Sequence, residues 1–225
     1  MVDEILKLYY GDNFSQHGFS KEALGWKKGK QEIRFNQLIK NFNPENKSFI
    51  DIGSGLGDFI PFLEKKGIIF TEYLGIEIFD KFYQYSMERF KDNSRIKFIN
   101  KNFLGVDLMN NSYDYIVGSG IFGHHLFSGN DEKQYEYIGQ IIKKALLVAK
   151  VGVSFDFLSN KITVEGNKKD FYCDPAKLLD IIYPSSKNLI LDNSTMPFEF
   201  TLTVFKDETF SKDTILFHSF INNQR

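Results

Sequence analysis

The chain has 225 residues, 42% of them apolar and 25% charged, and its 28 basic and 29 acidic residues leave a net charge of -1. That balance excludes a disordered chain and a bulk basic surface for nucleic acid or membrane. The length predicts one domain, able to bury its own core without cross-links. A single cysteine, Cys173, excludes an intrachain disulfide and has no evident base partner nearby in sequence.

The first 45 residues read as a helical N-terminal extension. Its clearest apolar spacing lies over residues 30–42, through Ile33, Leu38, Ile39 and Phe42, and Asn43-Pro44 ends it. The start carries acidic residues and no long apolar run, so it does not read as a secretory signal, and no stretch reaches the length of a membrane span. A soluble cytoplasmic protein is the expectation.

Residues 48–52 form a short apolar run that breaks into glycines, as a buried parallel strand does. A helix is predicted over 57–66, with Gly67 just past its end, then a strand over 71–76 and a helix over 79–90. Strands over 96–99 and 113–117 follow, then a long helix over 135–149 and a strand over 151–158. A short helix over 175–182, stopped by Pro184, and strands over 188–191 and 198–205 close the order. The alternation predicts an α/β fold, a mostly parallel sheet with helices on both faces. The link at 192–197 is too short for a parallel crossover, so the last two strands pair antiparallel if they are neighbours.

The most informative segment is Asp51-Ile52-Gly53-Ser54-Gly55-Leu56-Gly57-Asp58, a strand that turns through glycines into a helix. Absent side chains let a ligand approach the backbone and permit positive φ. The dinucleotide fingerprint needs a third glycine where this chain has Asp58, and Asp51 before the loop suits a cationic ligand better than a pyrophosphate. Glu77, twenty positions beyond Gly57, is placed to accept hydrogen bonds from both hydroxyls of a ribose. The loop with Asn102 and Phe103 can set an amide and a ring against an adenine, and Ser119 ends the fourth strand in the crevice where open sheets bind ligands.

Together these residues resemble the class I S-adenosylmethionine-dependent methyltransferase family, over roughly residues 30–206. The resemblance implies a Rossmann-like, seven-stranded, mostly parallel sheet with a C-terminal antiparallel hairpin, in a core at 46–206 flanked by a lid at 1–45 and a tail at 207–225. It implies S-adenosyl-L-methionine as cofactor, with Asp51, Gly53 and Gly55 holding the methionine part, Glu77 the ribose, and Ile78 and Asn102 beside the adenine. Asn102 stands where the family often has an acid, and its carbonyl can accept the same hydrogen bond. The N-terminal segment would fold over the cofactor. From it Trp26, Gln31 and Arg34 would reach the cofactor, the arginine through its planar fork, and Tyr9, Tyr10 and His17 the acceptor.

His124 and His125 follow the fourth strand, where one of them, not both, could take a proton from the acceptor. Phe122 and Glu199 complete the expected acceptor site, although Glu199 fits equally an outward position in an alternating strand. The four histidines show no metal-ligand spacing, so no metal is expected. With no Asn-Pro-Pro-Tyr-type motif after the fourth strand, a small metabolite or sugar-type acceptor is favoured over nucleic acid. Two other functions compete with this reading: a nicotinamide oxidoreductase and a non-catalytic cofactor-binding module acting through a partner.

Overall fold

The computed structural model describes residues 2–25, 31–162 and 169–207. Trp26 and almost all of the 207–225 tail lie outside the described residues. The strands are β1 (Lys47–Ile52), β2 (Phe70–Ile76), β3 (Ile96–Ile99), β4 (Tyr113–Gly118), β5 (Ala149–Leu158), β6 (Leu189–Asp192) and β7 (Glu199–Phe205). The helices are α1 (Val2–His17), α2 (Gln31–Ile39), α3 (Phe59–Lys65), α4 (Asp80–Arg89), α5 (Asp131–Val148) and α6 (Pro175–Ile182).

All seven strands form one sheet in the order β3-β2-β1-β4-β5-β7-β6. The first five pair in parallel, while β7 runs antiparallel to both β5 and β6. This is the expected mostly parallel sheet with an antiparallel ending. Strand order reverses between β1 and β4, so the crevice for a ligand opens at their C-terminal ends.

Alternation along β1 sorts the two core faces. Phe49 joins Phe59 and Phe62 of α3 with Phe35 and Leu38 of α2, while Ile50 and Ile52 join Ile138 and Ile142 of α5. Asp51 shares the face of Phe49, a carboxylate among rings. Phenylalanine packs both faces of the sheet, and on the α2–α3 side Phe35, Phe59 and Phe62 meet ring to ring.

Three elements differ from the sequence expectation, the first being α2, which ends at Ile39 rather than at Asn43-Pro44. Helix α5 starts at Asp131 rather than 135, because the Asn130 side chain caps the Lys133 amide at 3.0 Å and Asp131 and Glu132 favour the first turn. Helix α1 is a full 16 residues although it buries none of them. Tyr10 and Phe14 attach it to the aromatic edge of α4 at Phe79 and Phe82. No helix among the described residues is long and apolar enough to cross a membrane.

Candidate active site

A cavity of about 280 Å³ opens at the C-terminal ends of β1, β2, β4 and β5. The glycine loop forms its floor. Gly53 has φ +70°, and a Cβ there would lie 2.5 Å from Ile121 Cγ2, so only glycine fits without displacing the β4 loop. The loop is fastened mainly to the end of β2. The Gly53 and Ser54 amides donate to the Ile76 carbonyl at 2.8 and 3.3 Å, the Gly57 amide to the Ser54 carbonyl at 2.9 Å, and the Gly55 amide to Glu77 Oε2 at 2.8 Å. Four loop amides are therefore committed within the protein rather than offered to a pyrophosphate.

Glu77 is buried at the end of β2, with Oε1 accepting from the Phe79 amide at 2.7 Å. A carboxylate has about four lone-pair positions, so each oxygen keeps capacity for a hydroxyl. Burial raises the Glu77 carboxyl above its ordinary range, against the backbone amides that stabilise its charge. Asp51 accepts from the Tyr73 hydroxyl at 2.6 Å, and burial pushes its carboxyl up to about 7. The buried Ser54 hydroxyl has no hydrogen-bond partner.

These observations fit S-adenosylmethionine. The cofactor carries positive charge at its sulfonium and amine, and beside the glycine floor the cavity lining supplies the buried carboxylates of Asp51 and Glu77. Ile78, Asn102 and Phe103 line the adenine side. The Asn102 amide is already in use: its carbonyl caps the Leu104 amide at 3.0 Å, and its nitrogen donates to Asp3 of α1 at 2.7 Å. Ser119 also lines the cavity.

Arg34 lies in the cavity wall, but the structure gives its fork a protein partner. Nε and Nη2 both donate to Glu199. Burial opposes the Arg34 charge, and Glu199 and Asp156 outweigh that, raising its pKa. Glu199 is therefore not an outward residue. Strand β7 is covered on both faces, so simple alternation does not apply to it. Gln31, one turn before Arg34, contacts Asp58 at 3.4 Å, and Asp58 is held mainly by Arg89 at 2.8 Å.

The two histidines separate cleanly. His124 lines the cavity, its ring packed on Tyr9 at 4.1 Å between centroids and its Nε2 3.5 Å from the Tyr10 hydroxyl. Burial pushes His124 down to about 4, so it is neutral at physiological pH. His125 turns out of the cavity to Asp131 at 3.0 Å and stacks on Phe171. Tyr9, Tyr10, Phe122 and Glu199 line the cavity as expected. His17 does not: it sits exposed in the last turn of α1, beyond the part of the helix that covers the cavity. Burial pushes the Cys173 thiol up to about 12, leaving it protonated.

Sequence reasoning missed Asp156. It lies in β5, is 5% exposed, and accepts from the Ser119 hydroxyl and from the Gly120 amide at 2.6 Å. The available signal was a carboxylate flanked by Phe155 and Phe157 in the buried part of a strand.

No family model and no curated protein sequence matches the chain. Solved structures match it in fold. Magnesium protoporphyrin IX methyltransferase (ChlM) from Synechocystis PCC 6803 with bound SAH aligns at TM-score 0.64 and 12% identity, over 92% of this chain and 100% of that one. Phosphoethanolamine N-methyltransferase 1 of Haemonchus contortus, in complex with phosphoethanolamine and S-adenosylhomocysteine, aligns at 0.66 and 12%, over 99% of this chain and 54% of that one. The [4+2]-cyclase SpnF aligns at 0.60 and 11%, over 78% and 80%. At these identities the likeness is one of fold, and one fold carries more than one chemistry. The sheet order, the antiparallel β7 and the glycine loop beside Glu77 give the chain the fold of the class I S-adenosylmethionine-dependent methyltransferases.

Proposed function

We propose that the protein is an S-adenosylmethionine-dependent methyltransferase acting on an oxygen or nitrogen of a small molecule. The observation that carries this reading is Glu77, whose carboxylate ties the glycine loop to the start of α4 and keeps acceptor capacity toward the cavity. When bound, the cofactor supplies a methyl group already activated by a sulfonium, so the protein's task is alignment. Glu77 and Asp51 bind and orient the cationic cofactor. Tyr9 and Tyr10 on α1 cover the acceptor side and exclude water. His124, neutral and facing the cavity, receives a proton from the acceptor at its imidazole nitrogen. That covering helix supports a small acceptor over a polymer.

Calorimetric titration with S-adenosylhomocysteine and with NAD tests the reading. Micromolar or tighter binding of the first, with no response to the second, is expected. The opposite result overturns it in favour of an oxidoreductase. A methyl-transfer assay then separates an enzyme from a binding module.

A further inference from the structure

One side chain beneath the adenine side of the cavity spends its hydrogen-bonding capacity on a single backbone turn. Lys144 of α5 donates from Nζ to the carbonyls of Phe103, Leu104 and Val106, at 2.8, 3.0 and 2.6 Å. An ammonium has three donors, so all of them are used. The same Nζ lies 5.0 Å from the centroid of the Phe103 ring. A lysine on a helix surface ordinarily keeps its charged head in water. Here the head is drawn out of water, and burial lowers the Lys144 pKa against the opposing field of Asp107.

The turn that Lys144 holds borders the cofactor site. Phe103–Gly105 is a single 3-10 turn, too short to fix its own position. Asn102 and Phe103 line the cavity, while the carbonyls of the turn reach back to α5. Helix α5 meets the same wall through Tyr137 and Ile141, and Lys144 follows Ile141 by one helical turn. Asn102 has little freedom apart from the turn, because its side-chain oxygen caps the Leu104 amide at 3.0 Å. Both cavity-lining groups therefore move with the turn, and Lys144 ties the turn to α5.

Resting on the methyltransferase reading, we propose that Lys144 is a positioning residue for cofactor recognition: its three bonds set how Asn102 and Phe103 stand against the adenine, and so the selectivity of the site for that base. A misplacement of about 1 Å is enough to undo such alignment. A purely structural lysine would stabilise the fold and leave the choice of base untouched.

The test is calorimetric titration of the full chain with S-adenosylhomocysteine and with S-inosylhomocysteine, which carries an oxygen in place of the adenine amine. The wild-type chain is expected to bind the first at least about tenfold more tightly. Lys144→Met is expected to weaken S-adenosylhomocysteine by about tenfold and to leave S-inosylhomocysteine within about twofold, so that the preference collapses. Lys144→Cys alkylated with 2-bromoethylamine regains an ammonium of nearly the same reach and is expected to regain the preference. Cys173, buried and protonated, is spared by the reagent. An unchanged preference in Lys144→Met, an equal loss for both ligands, no preference in the wild-type chain, or no recovery on alkylation overturns the proposal. Should Lys144→Met fail to fold, Lys144→Gln, which keeps two donors, decides by the same ratio. Failure of S-adenosylhomocysteine to bind the wild-type chain overturns the methyltransferase reading and the proposal with it, whereas every other adverse result overturns the proposal alone.

Discussion

Arg34 and Glu199 lie 165 positions apart and close into a two-pronged ion pair, joining the helix before β1 to the first residue of β7. Removing either partner strands a buried charge, and the two losses are unequal. Arg34→Met leaves Glu199 facing Asp156, two like charges. Glu199→Gln leaves Arg34 still facing Asp156. The arginine substitution is expected to cost about 3–5 kcal/mol and the glutamate substitution clearly less. Denaturant unfolding of the two variants measures the order, and a reversed order would show that Asp156 and Glu199 do not repel.

Glu77 fastens two backbone amides and faces the cavity. Glu77→Ala is expected to weaken S-adenosylhomocysteine binding by about 10- to 100-fold, since it removes the carboxylate that accepts from the ribose hydroxyls and a hydrogen bond to a charged group is worth about 1.5–3 kcal/mol. Glu77→Gln should fall between, because its amide keeps one acceptor oxygen where two are used. Calorimetric affinity equal to wild type for the alanine variant would remove Glu77 from the site.

The histidines offer a paired comparison on adjacent positions. His124→Ala is expected to lower methyl transfer by about 100-fold or more, the usual contribution of a positioned base. His125→Ala, whose ring points to Asp131, should leave turnover near wild type. Steady-state kinetics of both variants decide. Equal losses, or none, would exclude His124 as the proton acceptor.

Asp51 and His124 give opposite pH dependences over the same window. The folded chain holds the Asp51 proton far more tightly than the unfolded chain, with the carboxyl raised from 3.8 to about 7 by burial. The stability from Asp51 is therefore present below pH 3.8 and lost as pH rises toward 7. The folded chain holds the His124 proton less tightly, with the ring lowered from 6.5 to about 4. Its contribution is full above pH 6.5 and lost as pH falls toward 4. In melting curves collected between pH 4 and 7, Asp51→Asn should remove the loss on the alkaline side and His124→Gln the loss on the acid side. Binding of the cationic cofactor should also release protons near pH 6, read as a buffer-dependent heat, because a nearby cation favours the ionised Asp51.

Much of the cofactor half was legible because its signals are local. A strand, three glycines and an acid at a fixed interval sit close enough in sequence to be read together, and Gly53, Gly55, Asp51, Glu77 and Ile78 all line the cavity. The succession of strands along the chain and the antiparallel ending followed from apolar runs and one short link, while their order in the sheet did not. The acceptor half was less legible because it is assembled from distant segments. Nothing in the sequence around Arg34 names Glu199 as its partner. Asp156 gained meaning only when the sheet brought β5 beside the end of β4. His17 and His125 failed as site residues for one reason: sequence position places a residue near a pocket but does not aim its side chain. The extent of α1 was missed because a helix that buries no residue leaves no apolar stripe to read.

The self-contained glycine loop has a consequence for affinity. Its amides find partners in Ile76, Glu77 and Ser54 without help from any ligand. Its shape is thus settled during folding, and a ligand arriving there need not freeze a moving backbone. Access to it passes under α1, which attaches to the body of the protein through Tyr10, Phe14 and Asp3 and buries none of its residues. Binding strength should then be set by the rigid floor, and the rates of entry and escape by the helix above it.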